Sequence, residues 1–173
     1  MLARPGESFT ADDHFNTGIS RLEPQRLALA IQAGANVRQT VAATGHTPLL
    51  VLVDRCDLKD HVAQQVAVAG LLIAAKADVN GVDANKANAL VVGARNCPVG
   101  VLTALMSAGV SLTAPSALGE TPLRAAIRAA RVDVVDALLD AGVDPRKEPY
   151  NVNREASNFA NKDVEAALKR RRK

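Results

Sequence analysis

The sequence predicts an all-α solenoid of stacked helix-turn-helix units, and three observations carry that prediction. Segments of similar plan recur at a spacing of 33 residues. Thr-Pro pairs and single glycines punctuate each copy at fixed places. Apolar residues fall in register when the copies are aligned, in a chain with no Trp, three Phe and one Tyr. A core made almost wholly from Ala, Val, Leu and Ile favours closely spaced helices over an aromatic-rich sandwich.

The clearest copy opens with Thr121, Pro122, Leu123, Arg124, Ala125, Ala126 and Ile127. A short turn leads to Asp133, placed to cap a second helix over Val134–Ala141, which closes on Gly142, Val143 and Asp144. Thirty-three positions earlier, Asn88, Ala89 and Leu90 lead through Val101–Met106 to Ala108, Gly109 and Val110. A third copy opens at Thr47, Pro48 and Leu49 and closes at Ala77, Asp78, Val79 and Asn80. A fourth survives as its ending, Ile31–Val37.

Each device has a physical reason. The Thr121 hydroxyl can satisfy an orphan N–H at a helix start, and Pro122 at the first helical position gives up no needed donor; Thr47 and Pro48 repeat the arrangement. Gly34, Gly109 and Gly142 follow second helices, where a left-handed residue ends a helix cheaply. Leu27, Ala69, Leu102 and Val135 form one apolar column; Ala30, Leu72, Leu105 and Leu138 a second; Ile31, Ile73, Met106 and Leu139 a third. A single helix pair cannot bury such faces alone, so the copies must stack.

These residues resemble the ankyrin repeat, whose pattern is roughly G-x-T-P-L-H-x-A-A, a turn, then V-V-x-L-L-x-x-G-A-D-V-N, and whose period is also 33. The resemblance spans about residues 13–170. It implies an ankyrin-repeat solenoid with projecting hairpin-like loops. The expected division is an N-terminal extension over 1–12, then a domain over 13–173. Within that domain lie a cap over 13–40, repeats over 41–81, 82–114 and 115–147, and a C-terminal cap over 148–173. The chain departs from the pattern in three ways. Thr47 to Asn88 spans 41 residues, with the excess around Arg55–His61, where Asp57 is placed to cap a lengthened second helix. Leu50, Val91 and Arg124 replace the family's His. Lys76 and Lys86 stand where Gly is usual.

Charge and cysteine content narrow the function. The net charge of +3 comes from the tail Lys169–Lys173, without which the chain sums to −2, so the body has no nucleic-acid footprint. The start lacks the apolar stretch, about 7–15 residues long, of a signal peptide, and no uncharged run of roughly 18 residues could span a bilayer. Cys56 and Cys97 make no framework of the secreted kind, which points to a reducing compartment and a cytoplasmic location. Cys56 and His61 beside Asp57 and Asp60 invite a nucleophile or metal reading. No oxyanion donors are identifiable, and metal sites want more ligands at closer spacing. Cys97 before Pro98 reads as a packed, inert thiol, His14 and His46 have no evident partners, and no Gly-rich phosphate loop is present. No catalytic residue, metal or cofactor is expected.

Ankyrin proteins usually hold their partner on the concave side, against loop tips and the exposed face of the first helices. By position, that resemblance implicates Thr44, His46 and Asp54 in the first full copy, Val82, Asn85 and Arg95 in the next, and Leu118, Glu120 and Arg128 in the third. Tyr150, Asn151 and Asn153 come from the last loop, with Tyr150 the best single anchor, since aromatics and Arg dominate binding energies. The expectation is a monomeric, non-catalytic scaffold for a protein partner, an adaptor or inhibitor, with no membrane role. A nucleic-acid-associated regulator using the basic tail is the alternative.

Overall fold

The computed structural model describes residues 10–40, 45–56, 59–159 and 162–170. Among them ten α-helices form five antiparallel pairs: α1 (Ala11–Ser20) with α2 (Pro24–Gln32), α3 (Pro48–Val53) with α4 (Val62–Ala74), α5 (Ala89–Gly93) with α6 (Val99–Ser107), α7 (Pro122–Arg128) with α8 (Val132–Asp140), and α9 (Val152–Asn158) with α10 (Lys162–Arg170). Odd-numbered helices pack against odd-numbered neighbours and even against even, so the pairs stack in two parallel rows. The first pair is fuller than the sequence suggests: α1 begins at Ala11, with Thr10 and Asp13 closing a reciprocal capping box.

The predicted columns form the core. Leu27, Ala69, Leu102 and Val135 are buried, as are Ala30, Leu72, Leu105 and Leu138; Ile31, Ile73 and Met106 are partly buried against them and Leu139 fully. Short first helices of five to seven residues in the middle three pairs could not persist alone. Burial of Leu49, Leu52, Leu90, Leu123 and Ile127 between neighbouring rows holds them instead.

Helix ends follow the chemistry of their residues with two corrections. The Thr121 hydroxyl accepts from the Arg124 N–H (3.2 Å), and Asn88 does the same for Val91 (3.0 Å). Thr47 takes the same extended conformation but makes no side-chain cap. Helix α4 starts after a single 3-10 turn at Lys59–His61 with His61 at its cap position; Asp57, expected to cap it, lies outside the described residues. Asp133 sits inside α8, whose cap position is Arg131; its carboxylate pairs with that arginine (2.7 Å).

Second helices end alike. At Gly34, Gly109 and Gly142 the chain turns left-handed (φ +89°, +87° and +97°), and paired N–H groups return to the last turn. Lys76 makes the same turn at φ 62°, with its N–H on Ile73 and that of Ala77 on Leu72, despite its side chain. Between pairs the loops are hairpin-like but short: Val82 and Asn88 form one isolated antiparallel bridge, and the Ser116 N–H bonds Glu120 across the next loop (2.9 Å).

Cys56 and Cys97 are joined as a disulfide, with their Cα atoms 4.6 Å apart. This corrects the expectation of separate thiols, and it leaves no Cys56 nucleophile beside His61. Both residues occupy inter-helix turns of adjacent pairs and are buried. Their separation, 41, equals that from Thr47 to Asn88, so they hold equivalent positions in successive copies and stacking brings them together.

Candidate functional site

The exposed face of the first helices carries a charge network that grows toward the C-terminal end. Asp54, Arg95 and Arg128 are equivalent positions of three successive copies, and His46 and Glu120 are likewise equivalent, one residue before the helix-opening threonine. In the first of these copies His46 Nδ1 lies 2.9 Å from Asp54. In the third the acidic residue comes first and the basic one second: Glu120 lies 3.7 Å from Arg128 and is also paired with Arg95 from the copy before. The 33-residue period thus places two guanidinium groups on either side of one carboxylate.

The network continues into the last pair. Arg124 Nε donates to Glu155 on α9 (3.0 Å), and Arg128 lies 4.0 Å from the same carboxylate. Arg124 stacks over the Tyr150 ring at 4.9 Å and Arg128 over the Phe159 ring at 5.6 Å. Thr121 donates to Glu148 (2.7 Å) and its hydroxyl meets that of Tyr150 at 3.4 Å. Burial pushes the Tyr150 phenol well above its ordinary range, so it stays protonated at neutral pH. The Glu155 hydrogen bond raises Arg124 above its already high range.

Exposure separates the two kinds of charge. The side chains of Arg95 and Arg128 are 53% and 46% exposed, those of Glu120 and Glu155 12% and 14%. Carboxylates form the floor and guanidinium groups the rim. Between them lies a shallow cleft of about 260 Å³, lined by Arg95, Glu120, Ala125, Arg128, Ala129 and Phe159.

The predicted partner-binding residues fall into two groups. Arg95, Glu120, Arg128 and Tyr150 are brought together, although Tyr150 is partly buried and braced rather than free-standing. Val82 and Leu118 are exposed at loop ends, Leu118 at 82%, and Asn85 accepts from the Ala117 N–H of the next loop (2.6 Å). Asn151 caps α9 through the Arg154 N–H (3.0 Å), and Asn153 is half-buried within that helix. His46 and Asp54 pair with each other, away from the arginine cluster. Thr44 lies outside the described residues. The sequence reading missed Arg124, Glu155 and Phe159. Arg124 stands where the family has His; its carboxylate partner comes from α9 and its ring partner, Tyr150, from the loop before that helix, where the repeat pattern gives no register.

Two further features bear on chemistry. Among the described residues no group of three His, Cys, Asp or Glu side chains could hold a metal ion, and no helix is long and apolar enough to cross a membrane. Of the basic tail, Lys169 pairs with Glu165 (3.8 Å) and Arg170 with Asp136 on α8 (3.2 Å), while residues 171–173 lie outside the described residues.

Residues 118–147 match the family model of the ankyrin repeat, spanning the loop that bears Leu118, both helices α7 and α8, and the turn after them. No curated protein matches the chain. Ankyrin repeats are protein-interaction modules and are generally non-catalytic. The matched segment is one ankyrin repeat, and the four further helix pairs stacked with it give the all-α fold of an ankyrin-repeat array.

Proposed function

We propose that the chain is a non-catalytic scaffold that binds one protein partner across its first-helix face, the concave side in this family, as an adaptor or inhibitor. The observation that carries this reading is the ordered cluster of Arg95, Arg128, Glu120, Tyr150 and Phe159 on one face of three successive pairs. Arginines fixed over aromatic rings are the residue types that dominate interface energies. They are held in place before any partner arrives, which lowers the entropic cost of binding. His46, Asp54, Val82, Asn85, Leu118, Asn151 and Asn153 form the margin of the same surface, and the scaffold acts as a monomer.

The nucleic-acid alternative rests on the tail. Lys169 and Arg170 are already paired with acidic side chains, which leaves them less able to neutralise phosphate. The compartment is best read from the cysteines. A cytoplasmic location was expected from two cysteines that make no secreted framework and from the lack of a signal-like or membrane-spanning stretch; the Cys56–Cys97 bond removes the first of these arguments. Disulfides persist in oxidising compartments and are rare in cytosolic proteins, so we place the working protein in an oxidising one.

The test is a partner captured from native extract and then titrated against purified variants. Arg95→Ala and Arg128→Ala should each weaken binding by more than about 1 kcal/mol. Removal of residues 169–173 should leave affinity within a few-fold at moderate salt, where exposed charges are screened. Binding abolished only by the tail deletion, with a steep salt dependence, overturns the proposal in favour of the nucleic-acid alternative.

A further inference from the structure

We infer that the cleft between Arg95 and Arg128 receives an acidic side chain of the partner, with an apolar partner residue beside it on Phe159. This rests on the reading of the first-helix face as the binding surface and names the chemistry of the segment that docks there. Charge count does not decide the partner's sign, because Arg95, Arg124 and Arg128 are matched by Glu120, Glu148 and Glu155. Exposure does. A partner approaching the face meets guanidinium groups 53% and 46% exposed before carboxylates 12% and 14% exposed.

Donor accounting points the same way. A guanidinium carries five N–H donors in a fixed fork that matches a carboxylate. The Arg128 guanidinium makes no hydrogen bond among the described residues; its two ion pairs are loose, at 3.7 and 4.0 Å. Arg95 reaches Glu120 through one nitrogen. Oε1 of Glu120 is buried and without a hydrogen bond, 3.7 Å from Arg128, so the floor holds Arg128 in place without saturating it. A carboxylate from above can therefore bridge both arginines. The 260 Å³ cleft is smaller than the roughly 300–1,000 Å³ of small-molecule sites, and suits one side chain. Phe159, 44% exposed and already stacked on Arg128, supplies an apolar wall next to that position. The matching segment carries Asp or Glu adjacent to a Leu, Met or aromatic residue.

The test is selection of a displayed random dodecapeptide library on the whole oxidised protein, followed by fluorescence titration of the enriched peptides. Enriched sequences should pair an acidic residue with an apolar neighbour. Their binding should fall at least tenfold in Arg95→Gln and in Arg128→Gln. Removing an arginine leaves Glu120 less compensated, so Arg128→Lys serves as the second variant. It keeps the charge and the fold but loses the fork, and should still cost several-fold. Thermal melts report whether each variant is folded. Enrichment of basic or uncharged peptides, full binding by Arg128→Gln, or an oligothymidylate that binds this cleft more tightly than any peptide overturns the inference. Peptides that depend on Leu118 and Val82 but not on the arginines would overturn it while leaving the broader binding surface standing. Peptides indifferent to both groups would overturn both.

Discussion

The pair α3/α4 and the pair α7/α8 descend from one pattern but are stabilised differently. The α7/α8 pair keeps the pattern: Thr121 caps, Pro122 starts the helix, Gly142 ends the second helix, and the apolar columns are complete. The α3/α4 pair breaks it at three places. Thr47 does not cap, the copy runs eight residues beyond the period through a longer inter-helix turn and a longer α4, and Lys76 occupies a left-handed turn. There a covalent bond from Cys56 to Cys97 ties the irregular turn to the next pair. A repeat array is only as strong as its neighbour contacts, so a cross-link from this irregular turn reinforces the junction between α3/α4 and α5/α6. The regular end carries the charged cluster.

If that division is right, the two regions should respond differently to the same treatments. The largest effect should come from reducing the disulfide, or from Cys56→Ser with Cys97→Ser. Opening a loop of this length costs about 4 kcal/mol in the chain-entropy account. Denaturant melts with and without reductant measure it, and the loss should concentrate in amides of α3–α6. A reduced protein as stable as the oxidised one would mean that the stack needs no staple.

Next come the columns. Leu105→Ala and Leu138→Ala should each cost about 3 kcal/mol, as full truncations in a packed core do. Leu105 lies beside the stapled junction, so its substitution should be the more damaging in reductant, whereas that of Leu138 should be indifferent to reductant. A loss under about 0.5 kcal/mol at either site would show that the column is not packed.

Lys76→Gly should gain about 1 kcal/mol, because a left-handed residue with a side chain is strained by roughly that much. The added backbone freedom of glycine in the unfolded chain trims the gain. No equivalent gain exists at Gly109 or Gly142, where the relief is already present.

The smallest effect concerns Glu148. Burial raises its carboxyl above the ordinary range, partly offset by hydrogen bonds from Thr121 and Tyr150. Its folded-state pKa exceeds the unfolded one, so its contribution is full in acid and is lost as pH rises through the folded value. Glu148→Gln, which keeps an acceptor for Thr121, should be slightly more stable than the parent at neutral pH. That advantage should vanish at pH values where the parent carboxyl is protonated.

Much of this was legible from residues alone. The stack of helix pairs, the buried columns and the left-handed turn at Gly142 follow from period, apolar register and turn chemistry, which are local or repeat-wise properties. The disulfide was missed because Cys56 and Cys97 were judged singly; the offset of 41 shared with Thr47 and Asn88 was the signal. Thr47 has the right residue type and backbone, yet whether its hydroxyl reaches an N–H is settled by rotamer and by crowding from the Gly81 loop. On the charged face, the spacing of Arg95 and Arg128 foretold parallel projection, but not the shared carboxylate of Glu120 or the α9 partners. Those depend on how the irregular last pair docks, and no repeat register describes it.

The central claim is that the first-helix face, and above all its C-terminal end, is where a protein partner sits. Hydrogen–deuterium exchange of the oxidised chain, alone and bound to its captured partner, tests it most directly. The account predicts slowed exchange in the loop at 112–120, in α7 and α9, and around Arg95, with α4 and α6 unchanged. Protection confined to the outer faces of α4 and α6, where Val62, Val66 and Val99 are exposed, or to the end of α10, would contradict it.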